Sequence, residues 1–325
     1  MEYIERSEGK SKEEWLEKRR HYVTGTDIAK IMGVAPSSWG RKFSVWLDKT
    51  GKGTEVEQNG AMRAGLAFES GILKMYAEDM DCKMEHLDGY DLNVSLKYPH
   101  LACSLDGWNH TLNVPVDAKN IRWKNEKWGD AWTDEFPDYY KTQLQVQMMV
   151  TGATEAHLAV MFSGQDFVIY KMDYDEKLAN DIVKAVDEFW PYVERGEQPV
   201  ADGSKATETY LKDEYAVGKP DAEKKADEAF IFLVKAYAAA KKATSEAEEK
   251  ENELGNRIRA YMGEATVVPG WCTWKNSKGK TVVSWDDVAA ELLASLTPEA
   301  KSEIIARHTV VKPGSRSLRI TAKGL

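Results

Sequence analysis

Polar and apolar positions along the first 200 residues switch repeatedly between a helical and an extended period, whereas much of the remainder keeps to the helical one. Glu13 to Arg20 has helical spacing. Thr24-Gly25-Thr26-Asp27 then offers capping groups for a helix bearing Ile28, Ile31 and Met32. Arg63 to Met80 predicts another helix. Three short extended segments follow, Gly89 to Leu96, Leu101 to Trp108 and Leu112 to Ile121. With Asp106-Gly107 and Asn109 as turn residues between the last two, they read as a hairpin or meander. After a loop over Arg122 to Phe136, Pro137 leads into Asp138 to Thr151, which Gly152 stops. Glu155 to Phe162 and Phe167 to Met172 form a second strand pair around Ser163-Gly164. Asp173 to Arg195 closes the unit as an amphipathic helix carrying Leu178, Ile182, Val186, Phe189 and Trp190. This order predicts a mixed sheet with helices packed on it, an α/β or α+β layer fold.

A boundary is expected near Gly203. Residues 221 to 262 read as one long helix whose Phe230, Leu233, Val234 and Tyr237 share a face, a spacing that Leu254, Ile258 and Tyr261 repeat. Trp271 to Ser284 predicts a hairpin turning at Ser277-Lys278-Gly279, and Trp285 to His308 a further helix. Arg307 to Leu325 contains Arg307, Lys312, Arg316, Arg319 and Lys323 and no acid.

With 325 residues, 42% in the hydrophobic set and 30% charged, the chain suits one large or two modest domains with ample core, and wholesale disorder is excluded. No apolar run approaches the roughly 20 residues of a membrane helix, and the opening stretch is charged throughout, so a cytosolic protein without a secretory signal is expected. Cys82, Cys103 and Cys272 lie far apart, which argues against a disulfide framework, a zinc finger or an iron–sulfur site. The net charge of −9 divides into −10 over residues 1 to 200 and +1 over the rest. Alone it points away from a phosphate-binding protein, unless part of the acid is a metal site.

The sharpest local chemistry is Ser104-Leu105-Asp106-Gly107 followed by Val116-Asp117-Ala118-Lys119, on adjacent extended segments joined by a short turn. Neighbouring strands lie about 4.8 Å apart, so facing carboxylates can share a divalent cation, which for hard oxygen ligands means Mg²⁺ or Mn²⁺. Alternation puts Asp117 and Lys119 on one face and turns Ala118 away. A cation there lowers the pKa of water for attack on a phosphodiester, and a neighbouring ammonium positions or deprotonates that water and offsets developing charge. An acid two residues before a lysine also occurs at Glu8/Lys10, Asp81/Lys83 and elsewhere as ordinary surface charge. The Asp117 segment differs in being apolar on either side, with Leu112, Val114, Val116 and Ile121. Glu69 on the upstream helix supplies a third acid, and Tyr140, Gln143 and Gln147 share one face of the helix after the strands.

These motifs resemble the YqaJ-type viral recombinases, relatives of phage lambda exonuclease in the PD-(D/E)XK nuclease superfamily, over roughly residues 13 to 199. Trp15 and Arg19 with Thr24-Gly25-Thr26-Asp27-Ile28 are similar to the family's N-terminal elements. Asn59 to Gly65 running to Glu69 is similar to its first long helix. Ser104-Leu105-Asp106-Gly107 and Asp117-Ala118-Lys119 look like its S-x-D-G and E-x-K strands. Pro137 to Tyr140 and Gln143 to Gly152 look like its glutamine-rich helix, and Phe189-Trp190 with Gly196 and Pro199 like its closing motif. Asp117 stands where Glu is commoner, shortening the reach by a methylene.

The resemblance implies a restriction-endonuclease-like α/β core, a central mixed sheet flanked by helices, over residues 1 to 200. A linker and long helix over 201 to 265 and a small α+β extension over 266 to 325 would follow it. It implies catalytic roles for Asp106, Asp117, Lys119, Glu69 and Gln143, with Mg²⁺, or Mn²⁺ in its place, held by Asp106, Asp117, the Ala118 carbonyl and Glu69. DNA contacts would come from Arg19, Thr26 and Ser104. The implied activity is that of a phage or prophage exonuclease in the bacterial host cytoplasm. It would digest the 5′-ended strand of linear double-stranded DNA and leave a 3′ overhang for a single-strand annealing protein of RecT type. A homo-oligomer, with a trimeric ring as one form, is implied as well.

Other readings stand beside this one. The same core serves repair and restriction endonucleases, and a chain that had lost catalysis would bind DNA ends only. The loop Trp123 to Trp132 interleaves aromatic and basic groups, as single-strand stacking platforms do, and equally suits core packing of its tryptophans. His86, His100 and His110 lack a ligand spacing and read as solvated or core histidines. The acid-free terminus is either a phosphate contact or a surface tail.

Overall fold

A computed structural model describes residues 4–7, 11–53, 58–87, 90–219, 222–279, 281–294 and 296–310, and the chain divides into two compact units, Met1–Glu214 and Tyr215–Leu325. The first unit opens with strand β1 (Ile4–Ser7) and helices α1 (Lys12–Arg19), α2 (Gly25–Ile31), α3 (Lys42–Lys49) and α4 (Gly60–Asp79). Strands β2 (Met84–His86), β3 (Leu92–Ser95), β4 (Ala102–Cys103), β5 (Gly107–Asn109) and β6 (Val114–Ile121) come next. Helix α5 (Asp138–Thr151), strands β7 (Glu155–Phe162) and β8 (Asp166–Asp173), and helices α6 (Glu176–Glu194) and α7 (Lys205–Glu214) complete it.

The central sheet has the order β2-β5-β6-β7-β8, antiparallel except for the parallel pair β6 and β7. A parallel pair needs a crossover, which α5 supplies. Gly152, at φ 75°, ends that helix in the left-handed conformation, its N–H donating to the Met148 carbonyl at 2.8 Å. Strand β7 is covered on both faces. Ala156, Leu158, Val160 and Phe162 join the core built with α5 and α6, whereas Ala159 and Met161 pack with Val116, Ala118 and Ile169 against Ile72, Leu73 and Tyr76 of α4. The result is the mixed α/β layer structure expected, a sheet flanked by helices.

The expected meander does not form as one sheet. Segment 101 to 108 is shared between two: β4 pairs with β3, and β3 with β1, in a separate three-stranded sheet, while β5 belongs to the central one. Ser104, Leu105 and Asp106 bridge the two sheets and pair in neither. Helix α7, which lies in the stretch expected to be linker, is part of the first unit: Tyr210 lies 5.7 Å from the Phe43 ring and 6.0 Å from Trp46, and Asp202 accepts from the Phe43 N–H at 3.1 Å.

The second unit contains α8 (Glu228–Met262), a hairpin of β9 (Val267–Val268) and β10 (Cys272–Thr273), α9 (Trp285–Ala294) and α10 (Pro298–His308). The hairpin turns at Pro269-Gly270, not at Ser277-Lys278-Gly279, and Gly270 takes the positive φ of 81° that the turn needs. The helix expected over 285 to 308 is two, because Pro298 starts a new one and Thr297 caps it by accepting from the Ala300 N–H at 3.3 Å. Lys312, Arg316, Arg319 and Lys323 lie outside the described residues.

Candidate active site

The β5–β6 register pairs Gly107 with Val116, so Asp106, one step before β5, lies across from Asp117. Its Oδ2 accepts from the Ala118 N–H at 2.9 Å. Strand alternation sends Ala118 into the core under α4 and turns Asp117 and Lys119 to the other face, beneath α5. There Asp117 is almost wholly buried, at 1% exposure. Its Oδ1 accepts from Gln143 Nε2 at 2.7 Å and from Gln147 Nε2 at 2.9 Å, while its Oδ2 is ion-paired with the Lys119 ammonium. Lys119 Nζ also lies 3.9 Å from Asp106 Oδ2 and 5.8 Å from the Tyr140 ring centroid.

The charges in this cluster are coupled. Burial, then the carboxylates of Asp117 and Glu69, push the Asp106 carboxyl up to about 7 against the opposing pull of Lys119 and the Ala118 N–H. Burial disfavours the Lys119 ammonium, but the charges of Asp117 and Asp106 outweigh it and hold this lysine protonated well above its ordinary range. Burial first and like charge second drive this acid towards neutrality, and one ammonium does not balance the two carboxylates beside it. Two hard carboxylates sharing a single ammonium fit a divalent cation as the missing charge.

Glu69, on α4, reaches this centre through its field, and its Oε1 lies 3.4 Å from His86 Nε2 on β2. Among the described residues no group of three or more His, Cys, Asp or Glu side chains is drawn into a cage for a metal ion. Ser104 is engaged locally: its hydroxyl donates to the Asp91 carbonyl at 2.8 Å and accepts from Trp15 Nε1 at 3.2 Å. Trp15 in turn lies beneath Arg19, whose guanidinium is 4.6 Å from the ring centroid. Arg19 Nη2 donates to Thr24 Oγ1 at 3.0 Å, and Thr26 Oγ1 is 3.4 Å from the same oxygen with its side chain exposed.

This N-terminal cluster meets the acid centre through Gly25. A Cβ at Gly25 would lie 2.9 Å from the Gln143 Cα, so only glycine lets α2 approach α5 this closely. Underneath, Asp27 Oδ2 accepts from the Thr24 N–H at 3.1 Å and Oγ1 at 2.9 Å and pairs with Lys49 Nζ at 2.8 Å. Lys49 also donates to the Arg19 carbonyl at 3.0 Å. Burial opposes the charge on Asp27, but Lys49, with Arg19 and Lys30, overcomes it and holds the carboxyl far below the usual range.

Three residues beside the predicted set matter here. Gln147 grips Asp117 as closely as Gln143 does, a role that its place four residues on from Gln143 could have signalled. His86 faces Glu69, and nothing in its sequence spacing signalled that pairing. Lys49, an ordinary last-turn lysine in the sequence, proves fully buried under Arg19. The tryptophan loop divides between its two readings: Trp128 is buried against Tyr140, Phe162 and Tyr170, whereas Trp123 is exposed with Arg122 5.4 Å from its ring centroid.

Residues 14–154 match the family model of the YqaJ-like viral recombinase domain. The uncharacterized protein YqaJ of Bacillus subtilis (strain 168) is 29% identical over 272 residues, which is 81% of this chain and 82% of the relative. Among solved structures, an alkaline exonuclease from Laribacter hongkongensis aligns with a TM-score of 0.46 at 18% identity, covering 57% of this chain and 94% of that one. A phage-related exonuclease from Haemophilus somnus 129PT aligns with a TM-score of 0.39 at 13% identity, covering 58% and 91%.

Proposed function

We propose, from the match of residues 14–154 to the family model of the YqaJ-like viral recombinase domain, that the chain is a metal-dependent deoxyribonuclease, an exonuclease acting on the ends of linear double-stranded DNA. One observation carries this reading. Asp106 and Asp117 converge across the β5–β6 register with the Lys119 ammonium between them, and two glutamine amides fix Asp117 from α5.

Asp106 and Asp117 would hold Mg²⁺ or Mn²⁺, with Glu69 adding its charge to the site's field. Such a cation, when bound, supplies a water of lowered pKa and neutralises phosphate charge. The chain's own groups do the rest. Gln143 and Gln147 both donate to Asp117 Oδ1, which sets the carboxylate's orientation and turns Oδ2, the oxygen paired with Lys119, towards the side that a cation would take. The Ala118 N–H anchors Asp106 Oδ2. Lys119, held protonated, places positive charge where it can offset charge developing on a phosphoryl oxygen, and it can act as a base only after losing a proton that its neighbours retain. Arg19 and the exposed Thr26, brought beside α5 by Gly25, suit contact with DNA phosphate.

Digestion of the 5′-ended strand, with the 3′ overhang passed to a RecT-type annealing protein, completes the proposal and rests on the family resemblance. Linear duplex labelled separately at each end, incubated in Mg²⁺, Mn²⁺ or EDTA beside closed circular DNA, tests it. Metal-dependent loss of 5′-ended strands with circles left intact is expected. Cutting of circles would point to an endonuclease on the same core, and unaltered DNA with a gel shift would exclude both enzymes.

A further inference from the structure

We infer that α8 is a self-association helix, and that the face it presents pairs antiparallel with the same helix of a second copy of this chain. The helix runs 35 residues, about 52 Å at 1.5 Å per residue. In this structure Met262 is its one buried residue. Phe230, Leu233, Tyr237, Leu254, Ile258 and Tyr261 are all exposed by between 46% and 84%. A helix of this length without a core of its own is held mainly by what covers its apolar stripe.

The stripe has a strict repeat. Phe230, Tyr237, Thr244, Glu251 and Ile258 recur every seven residues, and Leu233, Ala240, Ala247, Leu254 and Tyr261 recur three residues after them. These are the a and d positions of a coiled-coil seam, whose period near 3.5 residues winds two helices around each other.

The contents of the seam choose the partner and its direction. Large residues stand at both ends and small ones in the middle, so reversing the second helix sets Phe230 across from Tyr261, Leu233 from Ile258, Tyr237 from Leu254 and Thr244 from Ala247, each a position against a d position. Antiparallel pairs make these contacts. The reversed alignment places Glu251 opposite Ala240 beside Lys241, whereas a parallel one sets Glu251 against its own copy inside the seam. Charge agrees. The first half of the helix carries Lys235, Lys241 and Lys242 against Glu228, a net of +2, and the second Glu246, Glu248, Glu249, Glu251 and Glu253 against Lys250, Arg257 and Arg259, a net of −2, so reversal lays a basic half against an acidic one. Flanking the seam, Lys241 meets Glu248 of the other copy, twice by symmetry.

Cysteine pairing tests both partner and direction. In the full-length chain carrying Cys82→Ser and Cys272→Ser, Leu233→Cys and Ile258→Cys are made separately, and the two variants are co-expressed with different tags and mildly oxidised. The antiparallel seam predicts a disulfide between the two differently tagged chains and none when either variant is expressed alone. Homodisulfides from the single variants, or no cross-link at all, would overturn the inference. A second measurement avoids the core of the seam: Lys241→Glu and Glu248→Lys should each weaken self-association by roughly ten-fold in sedimentation equilibrium, and the double variant should restore it. Failure of the double variant to recover would also overturn the pairing.

Discussion

Replacing Lys49 with methionine removes the ammonium beneath the N-terminal cluster while nearly preserving the side chain's volume. The side chains of Lys49 and Asp27 are 0% and 4% exposed and 2.8 Å apart. After the substitution, Asp27 retains the Thr24 N–H and hydroxyl but loses its buried countercharge, and the Arg19 carbonyl loses its donor. Breaking one side of a buried pair costs about 3–5 kcal/mol, a large part of the roughly 5–15 kcal/mol by which a native protein is stable. Urea unfolding of the full chain at pH 7 measures the loss. Adding Asp27→Asn to the variant removes the uncompensated charge and should return part of the stability. The sign of the pH dependence follows from Asp27. Its folded-state pKa lies below its unfolded value, so its stabilising contribution is present above about pH 4 and is lost as the pH falls through the depressed folded value. In the variant, burial is left with less opposition and favours the neutral acid, so the gap between wild type and variant should narrow as the solution is acidified. A loss under about 1 kcal/mol at neutral pH, or a gap that widens in acid, would refute the assignment of this pair as the support of Arg19.

Three further outcomes are expected. Gln147→Leu leaves Asp117 Oδ1 with one amide donor and should raise the Mg²⁺ concentration giving half-maximal activity by about 10- to 100-fold, a titration that would return the wild-type value if Gln147 only filled space. Gly25→Ala forces a Cβ against the Gln143 backbone and should lower stability by about 1–3 kcal/mol in thermal denaturation, together with a fall in kcat; an unchanged melting curve would contradict the close approach. Tyr76→Phe removes the hydroxyl that accepts from Asn109 Nδ2 at 3.0 Å and lies 2.6 Å from His157 Nδ1. It should cost about 1–2 kcal/mol of stability and leave the rate per folded molecule near wild type, because Tyr76 packs under the sheet face opposite Asp117.

Much of the fold could be read from period alone. The strand at 155 to 162 reads as a continuous apolar run because both of its faces are buried, the strand at 166 to 173 follows it after a short turn, and the helix before them stops at Gly152 as its stop signal implies. What period does not encode is which strands pair. Leu101 to Trp108 reads as one extended run, yet its two ends belong to different sheets, since pairing is decided by partners distant in sequence. In the candidate site, the shared face of Asp117 and Lys119 follows from strand alternation, and Gln143 and Gln147 share a face by helical spacing. The Lys49–Asp27 pair was invisible, because a lysine in the last turn of a helix ordinarily complements the dipole in solvent and only tertiary packing buries this one. The net charge of −9 overstates the acid open to solvent, because Asp106 and Asp117 contribute to it while facing one another beside Lys119.

The proposed function makes Asp106, Asp117 and Lys119 a phosphodiester-hydrolysing centre. Single-turnover digestion of end-labelled linear duplex in Mg²⁺, comparing wild type with Lys119→Met at matched folded fraction by circular dichroism, tests it most directly. A rate lower by about 10²–10³-fold with the fold intact is expected. A folded Lys119→Met protein that digests DNA within about three-fold of the wild-type rate, a difference under 1 kcal/mol in barrier height, would contradict it.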